Sequence, residues 1–170
     1  MKYVFIINPH AGEADNEEKI RREAEGIEGC EFYVTKSVGD ATEFVRNWCK
    51  DHAGEAVRFI ACGGDGTINE VFNGAVGQKN ASVTCYPCGS GNDFVKAFGG
   101  AEAFLDIAKL TSAPTRKLDL LKVGDRYSNN VVNFGLIRPL PSPSTRSATR
   151  PVTAAKTPTP RVWSRLLSKA

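Results

Sequence analysis

The feature that most constrains this chain is a cluster of glycines placed directly after a buried apolar segment. Residues 57–61 (VRFIA) have the composition of a buried strand, residues 63–67 read GGDGT, and a helical pattern follows. Glycines at a strand-to-helix junction let another group approach the backbone, because no Cβ atom is in the way. The segment therefore predicts an α/β fold with a binding loop at the end of a strand.

Strand-like and helix-like segments alternate through the first hundred residues. Alternation of this kind predicts an α/β fold with a mostly parallel sheet covered by helices on both faces. After one more helical pattern at 101–110, residues 116–135 have the pattern of two strands around a Gly124-Asp125 turn. The strand patterns are 2–8, 30–35, 56–64 and 81–89, and the helical patterns are 14–27, 37–52, 67–77 and 92–100.

The net charge of +3 is unevenly distributed along the chain. Residues 136–170 hold seven Lys or Arg and neither Asp nor Glu, which leaves 15 basic and 19 acidic residues in 1–135. The mild excess of acidic residues in 1–135 does not favour nucleic acid as a binding partner.

The five cysteines lack the spacing of a disulfide framework. Cys85 and Cys88 form a C-x-x-C pair, a pattern found in redox and zinc sites, but no second pair or suitably spaced His accompanies it. Cys62 and Cys85 lie in predicted buried strands, where cysteine behaves as a small apolar residue. No signal-peptide pattern and no apolar run of bilayer length is present, so we expect a cytoplasmic protein.

Three glycine-containing turns, at 8–12, 63–67 and 89–93, follow the carboxyl ends of different predicted strands. Ligands of open parallel sheets bind beyond these strand ends, and N–H groups at the start of the following helix favour phosphate. Asp65 and Asp93 are candidates either to hold Mg²⁺ or to orient the loops. Each turn alone is explained by tight packing or by a helix cap, but three together predict a nucleotide-phosphate site. The Gly-Lys-Ser/Thr ending of a Walker loop is absent.

The three turns together resemble the diacylglycerol kinase catalytic domain, in its bacterial soluble lipid-kinase branch. The resemblance rests on Asn8-Pro-x-x-Gly12, on Gly63-Gly-Asp-Gly-Thr67 with Asn69-Glu70, and on Pro87-x-Gly-Ser-Gly-Asn-Asp-Phe94. It implies a three-layer α/β nucleotide-binding domain, of the type shared by NAD kinases and diacylglycerol kinases, followed by the start of a β-rich domain.

The resemblance implies ATP and Mg²⁺ as cofactors, with residues 63–69 around the phosphates and with Thr35 and Ser90 as nucleotide contacts. Ser90 stands where threonine is commoner in the family, and the hydroxyl is retained. We expect Asp65 to be the most critical residue for catalysis, and we assign no metal ligands. The candidate nucleotide-binding residues are Asn8, Gly12, Thr35, Gly63, Gly64, Asp65, Gly66, Thr67, Ile68, Asn69, Glu70, Gly89, Ser90, Gly91, Asn92 and Asp93.

The implied reaction is transfer of the γ-phosphoryl group of ATP to a hydroxyl of a lipid such as diacylglycerol. NAD kinases also carry Gly-Gly-Asp-Gly-Thr, so an NAD kinase-related enzyme is an alternative, although the first and third turns favour a lipid kinase. A non-catalytic nucleotide-binding remnant is the alternative outside the enzymes. In the family the β-rich domain binds lipid and carries the general base, and the full-length form is compatible with peripheral membrane contact.

The resemblance divides the chain into three regions. Residues 1–115 correspond to the ATP-binding catalytic domain, 116–135 to the start of the β-rich lipid-binding domain, and 136–170 to a disordered tail with six of the nine prolines. If the reading frame is shifted back by one nucleotide, the codons possible for residues 135–141 and 155–167 can encode segments that resemble the continuation of the family sequence. We therefore favour an out-of-frame tail over a genuine basic linker or a membrane-contacting segment, and we expect the truncated chain to be inactive alone.

Overall fold

A computed structural model of the chain describes residues 1–12 and 15–132. Four parallel strands form the main sheet in the order β2-β1-β3-β4, and two short strands form a separate hairpin. The predictions for residues 133–170, including the reading frame of the tail, lie outside the described residues. The elements are β1 (Lys2–Ile7), α1 (Asn16–Glu23), β2 (Cys30–Val34), α2 (Asp40–Asp51), β3 (Val57–Gly63), α3 (Asp65–Ala75), β4 (Ala81–Pro87), α4 (Asp93–Lys96), a 3₁₀ helix (Ala101–Phe104), α5 (Ile107–Ser112), β5 (Leu121–Val123) and β6 (Arg126–Ser128).

Strand β3 is the centre of the sheet, and all seven of its residues are buried. It pairs in parallel with β1 on one side and with β4 on the other. Phe59 and Ala61 belong to an apolar cluster that includes residues of α2 and α3, whereas Ile60 and Cys62 belong to a second cluster that includes residues of α1 and α5. The two clusters confirm the predicted α/β fold with a mostly parallel sheet.

The cysteines of the C-x-x-C pair pack in different apolar clusters. Cys85 belongs to the cluster of α2 and α3, and Cys88 packs against the cluster of α1 and α5. Burial raises the pKa of Cys85 to about 12 and that of Cys88 to about 11. Cys62 and Cys85 are fully buried, which confirms the prediction that they act as small apolar residues.

Several helices differ from their predicted bounds. Helix α3 begins at Asp65, so the second half of the GGDGT motif is already the first helical turn. The pattern at 92–100 gives only the single turn α4. The pattern at 101–110 is interrupted because the Asp106 carboxylate accepts the Lys109 N–H at 3.0 Å and thereby begins a new helix, α5. None of the described helices is both long and apolar enough to cross a bilayer.

The hairpin has the predicted Gly124-Asp125 turn between β5 and β6, with Gly124 in the left-handed region at φ +58°. It belongs to the same compact unit as the main sheet, Met1–Val132. Strand β6 contacts α3. The hairpin is therefore held by the helix that begins in the central glycine loop.

Arg58, the second residue of the apolar strand β3, is a buried cation with 6% of its surface exposed. Its guanidinium donates to the carbonyl oxygens of Leu110 at 2.6 Å, Thr111 at 2.9 Å and Ala113 at 2.7 Å. These carbonyls lie at the carboxyl end of α5, where a helix leaves acceptors unpaired and favours positive charge. Arg58 therefore fixes α5 against the sheet.

We predict that Arg58→Met lowers the free energy of unfolding by about 1.5–3 kcal/mol, because it removes charged donors from carbonyls that stay covered. Urea denaturation of both proteins measures the change. Arg22→Met, on the exposed side of α1, is the control and should change the stability by less than about 0.5 kcal/mol. Equal effects of the two substitutions would show that the Arg58 contacts do not stabilise the fold.

Candidate functional site

The strand order creates a crevice between the carboxyl ends of β1 and β3. From β1 the chain moves outward to β2, and from β3 it moves in the opposite direction to β4. Ligands of open α/β sheets bind at such a reversal of strand order. Because Asn8 follows β1 and Gly63 ends β3, two of the three predicted loops meet at this point.

A side-chain hydrogen bond joins these two loops. Asn8 Nδ2 donates to Thr67 Oγ1 at 3.1 Å, and Asn8 Oδ1 accepts the N–H of His10 at 3.0 Å. Thr67 folds back over Gly63, where an added Cβ atom would lie 2.6 Å from the Thr67 Cβ. Gly63 is therefore required by the packing of Thr67.

An open cleft of about 540 Å³ lies beside this hydrogen bond. Its volume is within the range of roughly 300–1,000 Å³ that is typical of small-molecule sites. The loops after β1 and β2 and the first turns of α3 contribute five of the predicted residues, together with His10 and Lys36, which the sequence analysis missed. The five are Asn8, Thr35, Gly66, Thr67 and Glu70. Lys36 adds a positive charge, and its position next to Thr35 was the available signal.

The start of α3 has the features of a phosphate cradle. Among the described residues no side chain caps this helix, so its first N–H groups are available to an anion. A Cβ atom added to Gly66 would meet nothing within 4 Å. The fold does not need glycine at this helical position, where alanine is intrinsically more stable. Open space above Gly66 at an uncapped helix start fits the phosphates of a nucleotide.

Asp65 holds the third loop. Its Oδ2 accepts the N–H of Asp93 and its Oδ1 accepts the N–H of Phe94, each at 3.1 Å, so that Asp65 caps the start of α4. A Cβ atom on Gly91 would lie 2.9 Å from Asp65 Oδ2. Of the two roles considered for Asp65, binding Mg²⁺ or orienting the loops, these contacts correspond to the second.

No group of three His, Cys, Asp or Glu side chains within 1–12 and 15–132 is placed to hold a metal ion. Glu70 is the one carboxylate among the residues that line the cleft. Its Oε1 already accepts the N–H of Gly39 at 2.9 Å and thereby holds the start of α2.

The third loop lies behind the first turn of α3, and none of its residues lines the cleft. A Cβ atom on Gly89 would lie 2.6 Å from the Cα atom of Gly64. Asn92 adopts the left-handed conformation at φ +49°, and its Nδ2 donates to the Gly89 carbonyl at 2.5 Å. Ser90 is exposed, and Asp93 pairs with Lys96 at 2.5 Å.

Three further predicted residues contact the protein itself. Gly12 packs against Cys88, whose carbonyl oxygen would lie 2.8 Å from an added Cβ atom. Ile68 is fully buried in the apolar core. Asn69 donates to the carbonyl of Tyr127 in the hairpin at 3.1 Å. Asn73, which the sequence analysis missed, also bonds to Tyr127.

Comparisons with known proteins identify a related family. The profile of the family described as the diacylglycerol kinase catalytic domain matches residues 2–123. A diacylglycerol kinase of Staphylococcus epidermidis is 34% identical over 105 residues, which cover 61% of this chain and 32% of that protein. A second protein of this species, provisionally named a lipid kinase, is 27% identical over 141 residues, which cover 79% of this chain and 46% of that protein.

Solved structures agree with the sequence relatives. The crystal structure of a diacylglycerol kinase from Bacillus anthracis has a TM-score of 0.60 and 27% sequence identity, and the match covers 74% of this chain and 45% of that one. The chain thus spans at most about half the length of the relatives that it matches.

We predict that Asp65→Asn lowers the free energy of unfolding by about 1–3 kcal/mol, because an amide offers one oxygen where two N–H groups now have acceptors. Loosening of the third loop should also weaken nucleotide binding at the adjacent start of α3. Urea denaturation and calorimetric titration with ATP measure the two effects. Asp119→Asn, at an exposed position, is the matched control. Unchanged stability in Asp65→Asn would mean that these two hydrogen bonds do not form in solution.

Proposed function

Because the chain belongs to the diacylglycerol kinase catalytic domain family, we propose that it forms the nucleotide-binding part of an ATP-dependent lipid kinase. In the proposed reaction the γ-phosphoryl group of ATP passes to a hydroxyl of a lipid such as diacylglycerol. The observation that carries the proposal is the open space above Gly66, at the uncapped start of α3 and within the cleft.

The residues around the cleft suit the parts of ATP. We propose that the triphosphate lies against the first turn of α3, where the N–H groups of Gly66 and Thr67 point to the ligand. Lys36 and His10 line the same cleft, and the charge of Lys36 would offset that of the phosphates. Thr35 would then contact the nucleoside. Phosphoryl transfer depends mainly on positioning and charge neutralisation, which groups of this kind supply.

We propose that Mg²⁺ accompanies ATP on its phosphates, as the resemblance to the family implies. The lipid acceptor and the general base are expected in the part of the relatives that this chain does not match, which is more than half of their length. Peripheral membrane contact and a cytoplasmic location remain predictions of the family resemblance.

We predict opposite effects for alanine at two glycines of α3. Gly66→Ala should leave the stability unchanged or raise it by up to about 1 kcal/mol, yet weaken ATP binding about tenfold, which corresponds to about 1.4 kcal/mol. Gly74→Ala should lower the stability by about 1–3 kcal/mol, because its Cβ atom would lie 2.6 Å from the Cβ of Val45 on α2. ATP affinity of the folded Gly74→Ala protein should stay within about twofold of the wild type.

Urea denaturation and isothermal titration with ATP distinguish these two variants. A Gly66→Ala protein that binds ATP as tightly as the wild type would refute the proposed phosphate site.

We predict that the 170-residue chain binds ATP but transfers little or no phosphate to lipid. Holding the acceptor next to the phosphate lowers the activation barrier of such reactions by roughly 7–11 kcal/mol. We propose that this chain supplies the nucleotide site and not the acceptor site. Incubation with γ-labelled ATP and either diacylglycerol vesicles or NAD measures transfer. Label in diacylglycerol at ordinary kinase rates of about 1–100 per second would place the acceptor site within this chain. Label in NADP alone would favour the NAD kinase alternative.

A further inference from the structure

Two asparagines of α3 hold strand β6 by its main chain. Asn73 Nδ2 donates to the carbonyl of Tyr127 at 2.7 Å, and Asn73 Oδ1 accepts the Tyr127 N–H at 2.8 Å. One turn earlier, Asn69 Nδ2 donates to the same carbonyl at 3.1 Å and to Asn129 Oδ1 at 3.0 Å. We call Asn69 and Asn73 the asparagine clamp.

The clamp occupies the place that a third strand would have beside the hairpin. Tyr127 lies opposite Lys122 in the register of β5 and β6. Opposite residues of an antiparallel pair exchange either both main-chain hydrogen bonds or neither. Since Asn73 engages both main-chain groups of Tyr127, this pair exchanges neither. The Lys122 N–H therefore points away from β6 and from the clamp.

Position 73 requires an amide side chain. Asn73 is 7% exposed, and its Nδ2 also donates to the Asn69 carbonyl at 2.8 Å. Aspartate could accept the Tyr127 N–H but would set a carboxylate against two carbonyl oxygens, and leucine could form none of these bonds. A buried polar side chain with both ends satisfied fixes one arrangement of its partners.

The clamp lies on the helix whose first turn forms the candidate phosphate cradle. Asn69 is one turn and Asn73 two turns beyond Asp65, where α3 begins. At its first turn the same helix holds the third loop through Asp65. A ligand at the first turn of α3 would therefore contact the helix that holds β6 by Asn73.

We propose that the asparagine clamp is a positioning device that makes the hairpin sense nucleotide binding at the start of α3. The inference rests on the proposed function for the identity of the ligand. Under the proposed function the acceptor part lies outside the matched region, and a fixed hairpin would position that part relative to the phosphates. Asn69 then has a second role besides its predicted place near the nucleotide, which is to hold the hairpin by its bond to the Tyr127 carbonyl.

The contact itself is tested by hydrogen exchange of single amides, followed by NMR in the 170-residue chain without nucleotide. The Tyr127 amide should exchange at least about tenfold more slowly than the Lys122 amide, although both belong to one hairpin. Asn73→Leu, which has no acceptor for the Tyr127 N–H, should bring Tyr127 to the rate of Lys122. Asn80→Leu is the control, because Asn80, just before β4, also donates to a main-chain carbonyl, that of Glu55, and has no bond to the hairpin. Equal amide exchange rates for Tyr127 and Lys122 in the wild type would show, without any variant, that the clamp does not form in solution.

The positioning role is tested by repeating the exchange with saturating ATP. In the wild type, ATP should slow exchange at Tyr127 by at least about threefold. In Asn73→Leu, ATP should bind with a Kd within about threefold of the wild type but leave the exchange rate of the Tyr127 amide unchanged. A purely structural clamp would show no dependence on ATP.

Calorimetry on the same samples separates the two proposals. Bound ATP with no change at Tyr127 would overturn the positioning role and leave the proposed function intact. No binding of ATP would overturn the proposed function and, with it, the positioning role, while the comparison of Tyr127 with Lys122 would still decide whether the clamp exists.

Discussion

The structure depends on the way in which helix α3 distributes its polar side chains. Asp65 holds the third loop, Thr67 bonds to Asn8 after β1, Glu70 holds the start of α2, and Asn73 holds the hairpin. Each of these side chains bonds to a different element. Directional bonds to four neighbours restrict the position of the helix, because a displacement lengthens or bends them. The candidate phosphate cradle at its first turn is therefore tied to four other elements of the fold.

Glycine is present for different physical reasons at different positions of this site. At Gly63 and Gly74 an added Cβ atom would collide with Thr67 and with Val45, so that packing alone requires glycine. At Gly66 it would meet nothing, and helix propensity would favour alanine. A glycine without a structural cause, next to unpaired N–H groups, is best explained by the approach of a ligand. The distinction rests on space around each Cβ position rather than on the motif.

The sequence was sufficient for the fold class and for the elements that carry the loops. The alternation of strand-like and helix-like segments predicted a mostly parallel sheet covered on both faces, and a buried apolar strand such as β3 fits that position. The turn at Gly124-Asp125 was also predictable, since the residue types demand it. The start of α3 was placed two residues late, because Asp65 and Gly66 have low intrinsic helix propensity.

What the sequence by itself determined was which loops carry the glycines and that they follow strand ends, because both depend on local residue order. Only the tertiary structure decided that two of these loops border the cleft while the third lies behind α3 and is held by Asp65. It likewise gave Arg58 and Asn73 their partners, more than fifty residues away along the chain. Hydrogen bonds of this range depend on strand order and helix crossing, which residue patterns along one segment do not encode.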